Sequence, residues 1–109
     1  MVITATRESI CNGDDYQKVK TFDYQQGEML SSFLKFRVAE YLPSTRGLTV
    51  WAIYMGSNEN QPTLERESAE KKVAFIHKID DRCLKVEIRG GDRPVSSFNT
   101  DEMYCAVYR

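Results

Sequence analysis

The chain has few side chains that are able to do chemistry, and His77 comes first because it is the only histidine. Any mechanism that needs a histidine general base would depend on this residue. His77 alternates with Val73, Phe75 and Ile79 along a predicted strand, on the face that we expect to point inward. We therefore predict a partly buried histidine near a strand end, with a catalytic base and a pH-sensitive contact as the alternatives.

Paired acidic residues occur at three places, and two carboxylates can divide the roles of acid and base when their environments separate their pKa values. The pairs are Asp14-Asp15, Asp80-Asp81 and Asp101-Glu102. Adjacent side chains in a turn point apart into water, so we interpret all three pairs as solvated surface residues. The sequence predicts no catalytic residue.

Gly90-Gly91-Asp92-Arg93 follows a predicted strand, as a phosphate-binding loop does. No helix is predicted after this segment, however, and the GxxxxGK spacing of such a loop is absent. We predict a hairpin turn at this point.

The cysteines are Cys11, Cys83 and Cys105, an odd number at wide spacing that does not resemble a disulfide framework. There is no CxxC pair, and a single histidine does not complete a zinc set of familiar spacing. We expect free thiols in a reducing cytosol, with one disulfide and a spare thiol as the alternative. We expect neither a metal nor a cofactor.

The composition is that of a folded globular protein, with 41% hydrophobic and 28% charged residues. A length of 109 residues favours one domain, and we predict a single α+β domain that spans residues 1–109. The net charge of −1 lacks the basic excess by which nucleic-acid binders neutralise phosphates, which counts against such a partner. No run approaches the ~20 apolar residues that span a bilayer, and the first residues lack the basic region of a secretory signal. We therefore expect a cytoplasmic protein without a membrane partner.

One amphipathic helix is predicted from Asp23 to Leu42. Its apolar residues recur at steps of three and four, which places them on one helical face; they are Leu30, Phe33, Leu34, Val38 and Tyr41. Asp23 is the predicted N-cap, with Gln26 placed to reach back as in a capping box. Pro43 ends the helix, because the residue before a proline avoids the helical conformation.

The remaining elements are predicted strands joined by turns. They are Val2 to Thr6, a short strand within Tyr16 to Phe22, Leu48 to Met55, Lys72 to Ile79, Cys83 to Arg89, a short one at Val95 to Phe98, and Met103 to Tyr108. Residues 56–70 are predicted to form a long exposed loop. Because short turns make neighbouring strands antiparallel, we predict an α+β fold: one amphipathic helix packed on a curved antiparallel sheet of about five or six strands.

The strand from Leu48 to Met55 is apolar on both of its alternating faces. If Leu48, Val50, Ala52 and Tyr54 face the helix, then the other face of the sheet carries apolar residues that a single helix does not cover. Uncovered apolar surface commonly marks a partner or a ligand. The predicted surface consists of Trp51, Ile53, Tyr54, Met55, Tyr104, Tyr108 and His77. The alternatives are a ligand cleft and burial by loops.

These features favour a non-enzymatic small binding protein that acts through a protein–protein interface, with a second protein or another copy of the chain as partner. In size, charge and lack of motifs the chain resembles immunity proteins, inhibitors and mobile-cassette accessory proteins in general form only. The acidic segments at residues 58–70 and 80–81 are expected to take part in this interface. The alternative is a small-ligand or minor enzymatic pocket between helix and sheet, lined by Phe33, Trp51, Tyr54 and Tyr104, with His77 or Tyr41 as a polar contact.

Overall fold

The computed structural model describes residues 1–8, 18–43, 47–56, 72–80 and 82–108. The acidic pair Asp14-Asp15, all but the first residue of the predicted loop at 56–70, Cys11 and Asp81 lie outside the described residues.

The described strands form one curled six-stranded sheet, a half-barrel. They are β1 (Val2–Arg7), β2 (Val19–Asp23), β3 (Leu48–Met55), β4 (Lys72–Ile79), β5 (Arg82–Ile88) and β6 (Glu102–Val107). Their order across the sheet is β2-β1-β6-β3-β4-β5. All neighbours are antiparallel except β1 and β6, which run parallel. The predicted α+β class and the mainly antiparallel sheet are confirmed, and the parallel pair is an addition that the pattern of turns did not reveal.

The one α-helix among the described residues, α1, occupies the concave side of the sheet at residues 30–41. It contains a first α-helical turn at Leu30–Phe33, a wider π-helical segment at Leu34–Val38 and a last α-helical turn at Ala39–Tyr41. The five residues predicted to share its apolar face are all buried. The predicted start is wrong, because Asp23 is the last residue of β2 and the helix begins seven residues later.

A remote carboxylate caps the start of α1. No side chain at Met29 caps the helix, but Asp92 Oδ1 accepts a hydrogen bond of 3.0 Å from the Ser31 N–H, and Asp92 Oδ2 accepts one from the Ser31 hydroxyl. A carboxylate here satisfies a free N–H group and complements the helix dipole. The hairpin predicted at residues 90–93 is therefore wrong: this segment crosses from β5 to the start of α1.

Val95–Phe98 also differs from the prediction, since it forms a 3-10 helix and not a strand. Two backbone hydrogen bonds tie this connection to α1: the Leu30 N–H donates to Arg93 O at 2.9 Å, and the Val95 N–H donates to Glu28 O at 2.9 Å.

Replacing Asp92 by alanine is expected to lower the free energy of unfolding by about 1–2 kcal/mol, the usual cost of losing a helix cap. Urea denaturation followed by circular dichroism measures this change. Asp101→Ala is the matched control, because Asp101 is exposed and caps no helix. Equal midpoints for the two variants would contradict the capping role of Asp92.

The main core lies between α1 and the concave face of the sheet. The fully buried side chains of β3 in this core are Trp51, opposite Ile76 of β4, and Ile53, opposite Ala74. The predicted orientation is therefore reversed: Leu48, Val50, Ala52 and Tyr54 point away from the helix.

The sequence pattern of β4 predicted that the side of the strand with His77 points inward. The structure has the opposite orientation, and a buried lysine explains why. Lys78 is 3% exposed, and its ammonium donates hydrogen bonds of 2.8 Å to Ala39 O and 2.8 Å to Leu42 O at the end of α1. These carbonyls lack partners within the helix, so a cation there satisfies them. Lys78 therefore points inward, and Phe75, His77 and Ile79 point outward, whereas Val73 packs against the main core at an irregularity in the pairing of β3 with β4.

Two buried groups that can lose a proton, the Tyr41 hydroxyl and the Cys105 thiol, also lie in this core and have raised pKa values. The Tyr41 hydroxyl donates a 2.6 Å hydrogen bond to Lys18 O, and burial is the main cause that raises the pKa of Tyr41. Burial also raises the pKa of the Cys105 thiol to about 12. Both groups are therefore neutral in the folded protein at neutral pH.

The Cys105 thiol is expected to make the protein less stable in alkali. The unfolded thiol ionises near pH 9 and the folded one near pH 12, so its contribution is complete below pH 9. Above pH 9 it falls by up to about 1.4 kcal/mol per pH unit. Urea titrations of the wild type and Cys105→Ala at pH 8 to 11 test this expectation. The free energy of unfolding of the variant is expected to fall less steeply with pH than that of the wild type. Parallel curves would contradict the expected contribution of the Cys105 thiol.

Candidate interaction surface

The face of the sheet opposite α1 carries a continuous group of apolar and aromatic side chains, which we call the outer patch. It consists of Leu48, Val50, Phe75, His77, Ile79 and Tyr108. Strand pairing brings them together, because Leu48 lies opposite Ile79 and Val50 lies opposite His77. The Tyr108 N–H donates a 2.8 Å hydrogen bond to Val50 O, which places Tyr108 beside the same strand.

Several side chains of the outer patch are well exposed. Leu48 is 61% exposed, Tyr108 52% and Ile79 37%. The rings of Phe75 and Tyr108 meet edge to face with centroids 5.1 Å apart, and the Lys72 ammonium lies 5.2 Å from the Tyr108 centroid. The result is an exposed apolar surface with a cation at its margin.

Charged groups of β5 border the patch on another side. His77 Nε2 lies 2.8 Å from Glu87 Oε1, and the Lys85 ammonium lies 3.2 Å from the same oxygen. Lys85 first, and then His77, lowers the pKa of Glu87. The carboxylate therefore stays ionised at neutral pH, beside the Lys85 ammonium at the margin of the patch and the His77 ring within it.

This arrangement does not form a familiar catalytic or metal site. Cys83 and Cys105 pack against the core on the helix side, whereas His77 lies on the other side, so neither described thiol can act with it. Among the residues that the structure describes, no group of three or more potential ligands is placed to hold a metal ion.

The surface predicted from the sequence is divided between the two faces of the sheet. Trp51 and Ile53 are fully buried under α1, and Met55 packs against the edge of that core. Tyr54 and Tyr104 lie on the outer face but are only 3% and 7% exposed.

These two tyrosines form a small second cluster with Ala52 and Ala106, and their ring centroids are 6.1 Å apart. Of the predicted surface residues, His77 and Tyr108 are the ones that belong to the outer patch.

Leu48 and Ile79, the cross-strand pair at one end of the patch, were not among the predicted surface residues. Both were assigned to the inward set because they alternate with apolar neighbours. The predicted ligand pocket is also divided, since Phe33 and Trp51 lie on the helix side of the sheet and Tyr54 and Tyr104 on the other. These four residues therefore do not line a single cavity.

A second feature that the sequence did not reveal is an open cleft between β2 and α1, which we call the β2 cleft. It contains two cavities of about 570 Å³ and about 300 Å³, both lined by Asp23 and Arg37. The larger one extends over residues 23–28, and the smaller one lies between Lys20 and Phe22 of β2 and Phe36 and Glu40 of α1.

Comparisons with models of known protein families, with curated proteins and with solved structures found no match to this chain. In the part of the chain that the structure describes, no helix is long and apolar enough to cross a membrane.

Proposed function

We propose that this protein is a non-enzymatic binding protein that acts through a protein–protein interface, and that the outer patch is the interface. The observation that carries the proposal is the exposure of Leu48, Ile79 and Tyr108 on the one face of the described sheet that the helix does not cover. Contiguous apolar surface with a polar rim is typical of binding sites on proteins.

The partner is another protein with a matching apolar face and charged groups at its margin. Lys72 on one side of the patch, and Lys85 and Glu87 on another, supply charges of both signs for such a rim. The aromatic pair of Phe75 and Tyr108 supplies large contact area with little side-chain entropy to lose, as aromatic anchors do at interfaces. We place this activity in the cytoplasm, where a reducing environment keeps the free thiols of Cys83 and Cys105 reduced.

The test compares the wild type with Leu48→Lys, Tyr108→Ala and the control Phe36→Lys, each immobilised and exposed to extract of the source cells. Phe36 is 65% exposed on the helix side of the protein, so its replacement leaves the outer patch intact. We expect the wild type and the control to retain the same protein, and both patch variants to lose it at least tenfold. Melting curves confirm that all four proteins are folded.

Three results would contradict the proposal. One is retention of the same protein by the patch variants, and another is the absence of any protein retained specifically by both wild type and control. The third is a dimer in light scattering that Leu48→Lys dissociates, because the partner would then be a second copy of the chain.

A further inference from the structure

The strand β5 lies at one end of the described sheet and is open to solvent. Leu84 is 60% exposed, and the side chains of Lys85 and Glu87 are 58% and 50% exposed. Among the described strands only β4 pairs with β5. An edge strand of this kind is a template on which another chain can add a strand.

The hydrogen bonds between β4 and β5 determine which backbone groups of β5 point outward. The Arg89 N–H donates a 2.9 Å hydrogen bond to Val73 O. Along an antiparallel pair, residues whose backbone groups bond to the neighbouring strand alternate with residues whose groups point away from it. The odd-numbered residues of β5 from 85 onward therefore bond to β4, and the N–H and C=O groups of Val86 and Ile88 point outward.

The sequence of β5 is complementary to itself when it is read in the opposite direction. If two β5 strands pair antiparallel with Val86 opposite Val86, then Lys85 of each copy lies opposite Glu87 of the other. Leu84 then lies opposite Ile88. Each charge meets the opposite charge and each apolar side chain meets an apolar one, and cross-strand pairs of both kinds stabilise antiparallel sheets.

Other registers of this strand pair lack the complementarity. A shift by one residue sets side chains of the outer face opposite side chains of the helix face, which a regular sheet does not allow. A shift by two residues sets Lys85 opposite Lys85 in one direction and Glu87 opposite Glu87 in the other. Like charges directly opposite each other destabilise a sheet, so the charges select the register that is centred on Val86.

From this self-complementarity we propose that β5 is a dimerisation edge, at which a second copy of the chain pairs its own β5 antiparallel to the first. The interface is isologous, with a two-fold axis at Val86. The two Val86 residues exchange backbone hydrogen bonds across the axis, and the exposed Leu84 side chain packs beside Ile88 of the second copy. The Lys85–Glu87 pair, whose charged atoms are 3.2 Å apart within one chain, meets the matching pair of the other chain.

The dimer also affects how the outer patch is presented. Residues that lie opposite each other in a sheet point to the same face, and Lys85 lies opposite His77 of the patch. The outer patches of both copies therefore lie on the same side of the joined sheet, with the paired charges of β5 between them. A partner with two matching sites would bind this double surface more tightly than a single patch.

The test measures the mass of the purified full chain by sedimentation equilibrium over a concentration series that reaches the millimolar range. We expect the wild type to reach twice the 12.6 kDa of one chain. Lys85→Glu sets carboxylates opposite each other at the interface, and Glu87→Lys does the same with ammonium groups. Each single variant is expected to weaken dimerisation at least tenfold.

Two further variants separate strand pairing from a general effect of charge. The double variant Lys85→Glu/Glu87→Lys exchanges the two charges, so every cross-strand pair is again a carboxylate with an ammonium, and we expect it to dimerise like the wild type. Lys20→Glu makes the same substitution at an exposed position of β2, the strand at the other end of the described sheet. We expect this control to dimerise like the wild type, and melting curves show whether each variant is folded.

The proposal is overturned if the wild type is a monomer at every concentration, if the single variants at Lys85 and Glu87 dimerise as well as the wild type, or if the double variant does not restore the dimer. A dimer that Leu48→Lys dissociates and Lys85→Glu does not would also overturn it, because the outer patch would then join the copies. A monomeric wild type leaves the proposed function unaffected, since capture of a different protein by the outer patch tests that function.

Discussion

Phe33→Ala is expected to lower the free energy of unfolding by about 3–5 kcal/mol, the range for removing a large aromatic side chain from a core. Phe33 is fully buried in α1 and packs edge to face against Phe22 and Tyr24, with ring centroids 5.6 Å and 6.1 Å away. Alanine leaves a cavity where the helix meets β2. Since small domains are stable by only about 5–15 kcal/mol, the variant is expected to be close to unfolding at room temperature.

Phe36→Ala is the matched control, because it makes the same substitution three residues along the same helix. Phe36 is 65% exposed, so its replacement is expected to change stability by less than about 0.5 kcal/mol. Urea denaturation of both variants, followed by tryptophan fluorescence of the buried Trp51, measures the difference. A loss below about 1 kcal/mol for Phe33→Ala would contradict its place in the core.

Lys78→Met is expected to cost about 3 kcal/mol, because each hydrogen bond from a charged group is worth about 1.5–3 kcal/mol. Methionine keeps most of the length of the side chain but leaves Ala39 O and Leu42 O without the ammonium that they bond. The end of α1 should also fray, which amide hydrogen exchange at Tyr41 and Leu42 would report as faster exchange than in the wild type.

The control for this variant is Lys85→Met on the neighbouring strand. The side chain of Lys85 is 58% exposed and pairs with Glu87, which is 50% exposed, so this change is expected to cost less than about 1 kcal/mol. If the two lysine variants unfold at the same urea concentration, the buried ammonium does not stabilise the end of the helix.

Most of the fold was predictable from the sequence, because periodicity records which elements have a buried side. The helical stripe that includes Phe33 and Val38 and the alternation in β4 and β5 each predicted the right element. The start of α1 was not predictable, since its cap is Asp92, more than sixty residues away in the chain. Local capping signals at Asp23 and Gln26 were therefore misleading.

The sequence predicted that one face of the sheet carries uncovered apolar side chains, but it did not show which residues lie on that face. Two apolar sets alternate in β3, and either set satisfies the pattern of a strand under a helix. The decision depends on Lys78, whose two hydrogen bonds to Ala39 O and Leu42 O at the end of α1 place it on the helix side of the sheet. With that single reversal, Leu48 and Ile79 move to the uncovered face and Trp51 moves to the core.

The parallel pairing of β1 with β6 has a consequence for how the chain reaches this structure. Thr4 lies opposite Glu102, so the middle of the sheet joins the first of the described strands to the last of them. The β3–β4–β5 meander forms from neighbours in sequence, whereas closing this long loop carries an entropic cost that delays it. During synthesis on the ribosome, the edges of β1 and β3 that pair with β6 are therefore expected to stay unpaired until β6 has been synthesised. In that interval the growing chain is most prone to aggregate, and a chaperone that covers these edges would raise its yield.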